Sequence, residues 1–248
     1  MKKKGILEVS ADSVESAVNA EQGGADRIEL CGDLIVGGVT PSLALFQRIR
    51  EKTQIPVHVL IRPRFGDFLY SEEELEVLYR QIQIFCEAGA DAIVTGVLTK
   101  EGMLDAAVMD RIRSLTGDKK LCLHRAFDMC ADREAALALA KEYGVDTILT
   151  SGGRKSAVAG MENLEKIKSL AGPVDIMAGA GVCADNIKKL HEETGITTFH
   201  MSGKVMLESG MEFRNPHVSM GLDSLSEYEL IRTSEEKVRE AVKVVRTL

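Results

Sequence analysis

Short β-rich runs alternate with amphipathic stretches along almost the entire chain. The runs predict strands over residues 5–10, 27–31, 57–62, 92–96, 121–124, 147–150, 174–178 and 198–202. The amphipathic stretches predict helices over about 13–21, 42–51, 72–87, 106–115, 133–143, 164–170, 185–193 and 235–245. Ser71 followed by Glu74 is a capping box that fixes the start of the third helix. Gly24, Gly89, Gly144 and Gly195 each stand just past a helix, where a left-handed residue turns the chain into the next strand. Strands alternating with helices of this length mean parallel βαβ units. Eight in succession close into a (β/α)₈ barrel, the TIM-barrel class of α/β fold, as a single domain over residues 1–248. Residues 203–234 are too long for an ordinary βα loop and are expected to form a lid or an interface.

Side chains alternate across a strand, so each run separates into two faces. One is almost wholly apolar, with Leu7, Val9, Ile28, Leu30, Val59, Val94, Leu123, Leu149, Ile176 and Phe199, as a face covered by helices should be. The other carries Glu8, Ser10, Arg27, Glu29, Cys31, His58, Arg62, Thr95, Cys122, His124, Thr150, Asp175, His200 and Ser202. That face must line the barrel, whose interior is ordinarily filled with branched aliphatics. Buried charges cost several kcal/mol each unless they are paired. Arg27 and Asp175, near strand starts, fit an architectural pairing. Glu8, Glu29, Arg62, His124 and His200 lie late in their strands, at the end where barrel active sites are built.

Composition narrows the partners. Hydrophobic residues make up 45% of the chain, as in an ordinary folded domain, and the net charge of −7 with no basic stripe disfavours nucleic acid. No apolar run is long enough to span a membrane, and the lysine-rich start enters a strand at once instead of a secretory signal. Five scattered cysteines without a Cys-x-x-Cys pair read as reduced thiols, so the expected location is the cytoplasm. A small anionic ligand or a metal ion is the expected partner.

The strand ends supply candidate chemistry. Arg62 and Arg64 suit an anionic group, beside Asp67. His124 and Asp128 follow the fifth strand, and a histidine within reach of Glu8 or Glu29 can transfer protons near neutral pH. Thr95, Ser151, Gly152, Gly179, Gly181, Ser202 and Lys204 are small or cationic groups where barrels commonly hold phosphate. For a metal, Cys31 and Cys122 are soft donors, while Glu8, Glu29, His124 and His200 are oxygen and nitrogen donors; the sequence leaves both open.

Several of these segments carry a resemblance. The stretch Gly23-Gly24-Ala25-Asp26-Arg27-Ile28-Glu29-Leu30-Cys31 resembles the copper homeostasis protein CutC family. So do Gly37-Gly38-Val39-Thr40-Pro41-Ser42, Ile61-Arg62-Pro63-Arg64, Gly66-Asp67-Phe68 and His124-Arg125-Ala126-Phe127-Asp128-Met129. The likeness runs from Glu8 to about Lys204 and on through Phe213-Arg214-Asn215. It implies a cytoplasmic, commonly homo-oligomeric barrel linked to copper homeostasis and Cu(I) binding through cysteines near the ends of the first two strands. Cys31 fills the second of those positions, while Ser10 stands at the first. The alternative is an enzyme performing acid/base chemistry on a small anionic substrate, with phosphorylated compounds among the candidates.

Overall fold

The structure is a computed structural model that describes residues 5–220 and 226–248. Strands β1 (Ile6–Ala11), β2 (Arg27–Leu30), β3 (Val57–Leu60), β4 (Ala92–Thr95), β5 (Lys120–Leu123), β6 (Thr147–Thr150), β7 (Asp175–Ala178) and β8 (Thr198–Met201) pair in parallel, each with the next. β1 also pairs with β8, which closes the barrel. Helices α1 (Val14–Gln22), α2 (Leu43–Lys52), α3 (Glu72–Glu87), α4 (Ala106–Thr116), α6 (Arg133–Glu142), α7 (Met161–Leu170), α8 (Ala184–Thr194) and α9 (Glu235–Val245) follow the strands in turn. The short α5 (Ala126–Met129) sits in the loop after β5. The fold is the expected (β/α)₈ barrel, and the helix from Ser71 starts on a complete capping box.

The larger apolar core lies between strands and helices, where Leu7, Val9, Ile28, Val59, Ile148, Ile176 and Phe199 are buried. A second, small apolar cluster of Cys31, Leu60, Ala92, Val94 and Cys122 sits apart from it. Two strands turn the opposite way from the sequence expectation. On β4 it is Ile93 that joins the helix-side core, so Val94 faces inward and Thr95 outward. On β6 Ile148 joins that core and Leu149 borders the barrel cavity, so Thr150 is not an interior side chain. The cause is legible. Both runs are apolar at consecutive positions, and without alternation a strand's register carries no signal.

The segment after β8 begins as a hairpin, β9 (Lys204–Glu208) antiparallel to β10 (Glu229–Thr233). Residues 221–225 of the expected lid or interface segment, and the lysine-rich start, lie outside the described residues. No helix among the described residues is long and apolar enough to cross a membrane.

Candidate active site

Strand register assembles the polar interior in two layers. In the lower one Glu8 stands across from Arg27 on one side and His200 on the other. Arg27 Nε donates to Glu8 Oε2 at 2.5 Å, His200 Nδ1 to Glu8 Oε1 at 2.9 Å, and His58 Nδ1 lies 3.1 Å from Oε2. Burial opposes a charge on Glu8, which is 1% exposed. Arg27 and the hydrogen bonds from His200 and His58 nevertheless hold its carboxyl well below the usual range. Glu8 is thus a fixed anion under the site and does not line the cavity above it.

The upper layer opens onto a cavity of about 620 Å³ at the carboxyl ends of the strands. Glu29, Arg62, His124 and His200 all line it, and Ser202, Lys204, Gly181 and Ser10 contribute to its wall. Glu29 lies one pleat above the Glu8 layer, opposite Ser10. Burial raises its carboxyl to about 7, against the pull of His200. His200 Nε2 is 3.8 Å from Glu29 Oε2. Burial works against a proton on His200, but Glu29 and Glu8 outweigh it and raise its pKa. A carboxyl that exchanges a proton near neutrality and an imidazole whose proton is held by two acids therefore face the same space.

His124 stands apart from these acids, contrary to the expectation that it works with Glu8 or Glu29. Its Nδ1 accepts from the Ala126 backbone N–H at 3.1 Å, so the neutral ring carries its proton on Nε2. Burial, with help from the Arg62 charge, pushes its pKa down to about 3. Nε2 is buried and has no protein partner. The ring packs against Phe68 at 4.7 Å between centroids. Gly96 allows this placement, because a Cβ there would come within 3.1 Å of His124 Cε1 and 2.7 Å of Leu123. Arg62 reaches the cavity from β3's end. Its Nη1 donates to Gly38 O at 3.0 Å and its Nη2 to Gly66 O at 2.7 Å, and its guanidinium lies over Phe68. Its Nε is buried and unpartnered. Gly38 is held at φ +83°, and a Cβ there would meet Leu60 at 2.9 Å.

Other sequence candidates are placed elsewhere. Arg64 bonds Glu74 at 2.6 Å and Asp67 at 3.0 Å and covers Tyr70, so this pair braces the loop onto α3. Thr95 donates to the Ile61 carbonyl at 2.9 Å, on the side away from the cavity. Asp128 borders the cavity, yet its carboxylate is spent on the loop after β6. It accepts from Thr150 Oγ1, Ser151 N and Oγ, Gly153 N and Arg125 Nε. Ser151 is thereby filled by an internal anion, and Gly152 N donates to Thr150 Oγ1. Gly179 N donates to Thr150 O, and Gly179 packs on Leu149. Asp128→Ala strands the Ser151 and Gly153 N–H groups and should cost about 3 kcal/mol in urea unfolding. A loss below about 1 kcal/mol would show that solvent replaces the carboxylate. No spacing in the chain signals this cage, since its donors include the backbone amides of Ser151 and Gly153.

A metal has one candidate set of three among the described residues: Glu8, Glu29 and His200 present donor atoms within 4.8 Å of one another. For Cu(I) the residues do not fit. Cys31 is fully buried in the small apolar cluster, its Sγ hydrogen-bonds the Ala11 carbonyl at 3.6 Å, and burial raises its thiol well above the ordinary value. Its expected companion is the hydroxyl Ser10, and the three-residue set contains no sulfur. Glu8, moreover, already serves three donors.

Comparison with known proteins agrees with the resemblance in the sequence. The profile of the CutC family matches residues 5–205. The human protein named copper homeostasis protein cutC homolog is 44% identical over 94% of this chain and 86% of its own length. A CutC family protein of Bacteroides fragilis is 40% identical over 97% of both chains. Among solved structures, the CutC protein of Streptococcus agalactiae superposes with a TM-score of 0.76 at 28% identity, covering 80% of this chain and 98% of that one. A thiamine phosphate pyrophosphorylase from Pyrococcus furiosus, at 15% identity and a TM-score of 0.58 over 98% of this chain and 96% of its own, shares the fold alone.

Proposed function

Since the chain belongs to the CutC family, whose named members are linked to copper homeostasis, we propose that its barrel mouth is the active site of an enzyme that moves protons on a small anionic substrate. The observation that carries this reading is the shared cavity. Glu29, a carboxyl raised by burial to about 7, lines the same space as the Arg62 and His124 side chains. A group that exchanges a proton near neutral pH, in the same cavity as a fixed positive charge, is how a general acid/base site is built. Glu29 takes or gives the substrate proton. His200, oriented through Nδ1 by Glu8, stands 3.8 Å from Glu29 to stabilise the carboxylate. Arg62 supplies the positive charge that draws the anion in, and Ser202 and Lys204 extend the polar wall for its remainder.

The copper in the relatives' names is a second reading, supported by the spacing of Glu8, Glu29 and His200. Those donors suit an oxygen- and nitrogen-loving divalent ion more than Cu(I), and the pairing of Glu8 with Arg27 weighs against either. The five cysteines are free, which supports a reducing compartment such as the cytoplasm.

The test is to incubate the protein with a fractionated pool of small cell metabolites and follow consumption by mass spectrometry. One or more anionic compounds should be turned over by the wild type, and Glu29→Gln should slow this at least about a hundredfold. Turnover indifferent to Glu29, or binding without any conversion, would remove the enzyme reading.

A further inference from the structure

Arg62 brings charge to the cavity, but its Nη1 and Nη2 serve the Gly38 and Gly66 carbonyls and its Nε is wholly buried. A second guanidinium on the cavity wall is placed otherwise. Arg125, just past β5, lines the cavity, and its side chain is 43% exposed. Its Nε donates to Asp128 Oδ2 at 2.8 Å and its Nη2 to Ser151 Oγ at 2.9 Å, with Arg154 O at 3.5 Å. Its Nη1 bonds no described residue. A long side chain that would otherwise sample many rotamers is thus fixed along one side of its planar fork, with Nη1 left as a donor. The charge around it is uncompensated. Asp128 and Asp132 are the acids of the loops after β5 and β6, residues 124–132 and 151–160. Asp128 serves the cage described above, and Asp132 caps α6 through the Glu134 and Ala135 amides. Arg154 and Lys155, exposed in the second loop, form no ion pair among the described residues, nor does Arg133, whose guanidinium packs on Gly153. This sector of the mouth is cationic on a chain whose net charge is −7.

We propose that Arg125 is the anion-binding residue of the cavity and that the group it takes is a phosphate monoester, held on the β5–β6 side of the mouth. This rests on the reading of the cavity as the seat of a small anion and narrows it. A guanidinium already fixed by Asp128 and Ser151 meets phosphate oxygens without the entropy loss of ordering a free arginine. A dianion gains more here than a carboxylate does, because the unpaired charges of Arg133, Arg154 and Lys155 add to that of Arg125. The Asp128 carboxylate then has two effects: it ties down the loop after β6 and it aims the guanidinium. Binding at Arg125 needs no proton transfer, so it holds whether or not Glu29 converts the molecule.

Inorganic phosphate and methyl phosphate are the probes, added to the full-length protein at physiological salt. Both should bind saturably in ³¹P titrations. Arg125→Gln should weaken binding at least about tenfold, and Arg125→Lys, which keeps the charge without the fork, should recover only part of it. Lys100→Gln removes a cation from an 81% exposed side chain after β4 and should change affinity by less than about twofold, because distant exposed charges are screened. The wild type alone supplies a readout that no variant's folding can confuse. Phosphate should slow phenylglyoxal labelling of Arg125 in proportion to its occupancy, and leave labelling of Arg48 on α2, 55% exposed, unchanged. Absence of saturable phosphate binding, or labelling of Arg125 indifferent to phosphate, overturns the proposal. So does equal affinity in wild type and Arg125→Gln while melting curves show both folded. Succinate that displaces phosphate at equal concentration overturns the assignment to a phosphate group. These failures are distinct from that of the enzyme reading, which falls only if no anionic metabolite is converted through Glu29.

Discussion

Glu8→Ala is expected to cost about 3–5 kcal/mol of folding stability, the penalty for leaving a buried charge without its partner. Arg27 would keep its guanidinium inside the barrel with Met177 Sδ, at 3.4 Å, as a remaining contact, and His58 and His200 would both lose their acceptor. Urea unfolding at pH 7 measures the loss. The double substitution Glu8→Gln with Arg27→Met, which removes the charge as well as the partner, should recover much of it, because an ion pair replaced by apolar volume is frequently neutral. A loss under about 1 kcal/mol for Glu8→Ala would mean that water enters the barrel floor and solvates Arg27. The double variant also separates support from chemistry. It should fold while leaving His200 without the carboxylate that orients it.

Glu29→Gln should make the protein more stable, and increasingly so as pH rises. A raised carboxyl holds its proton in the folded state while the unfolded chain has already released it. Its contribution is complete below the unfolded value of 4.5 and is lost as pH climbs through about 7. Glutamine lacks that loss, so the gap between variant and wild type should widen by on the order of 3 kcal/mol from pH 4.5 to pH 7. His124 works in the opposite direction. Its pKa is depressed to about 3 from 6.5, so its contribution is present above 6.5 and disappears as pH falls towards 3. The two slopes overlap and offset in the wild type, and removing Glu29 should unmask the rise due to His124. Unfolding curves at pH 4.5, 5.5 and 7 decide it: a gap that does not change with pH would mean that Glu29 is not desolvated.

Much of the barrel was legible because helix stops and strand starts have local causes. The Ser71–Glu74 capping box and the turn-forming Gly24 are decided by neighbours in sequence, and the structure has α3 and β2 where those signals point. The polar floor was legible too: in strands such as β1 and β8, where Glu8 and His200 alternate with Leu7 and Phe199, the pleat reads directly from the residues. The faces of Thr95 and Thr150 were not, because neighbouring apolar positions in β4 and β6 suit either side. The role of His124 was hidden for a different reason. Its isolation from the acids, and the backbone N–H that sets its tautomer, depend on where the β5 loop turns back, which no spacing in the sequence encodes. Asp128 stood among the site candidates because a sequence displays side chains, whereas its donors include the amides of Ser151 and Gly153.

The grip of Arg62 on its surroundings bears on how the mouth of such a barrel can change shape. The guanidinium holds Gly38 and Gly66 by their carbonyl oxygens, so the anchorage is indifferent to which side chains the adjoining loop displays. Leu34, Ile35 and Val36, which form the rim of the cavity on that side, make no part of it. Drift at those positions can reshape the mouth while the Arg62 anchorage stays in register. The charge at the cavity wall and the shape of its rim are thus set by parts of the chain that can evolve separately.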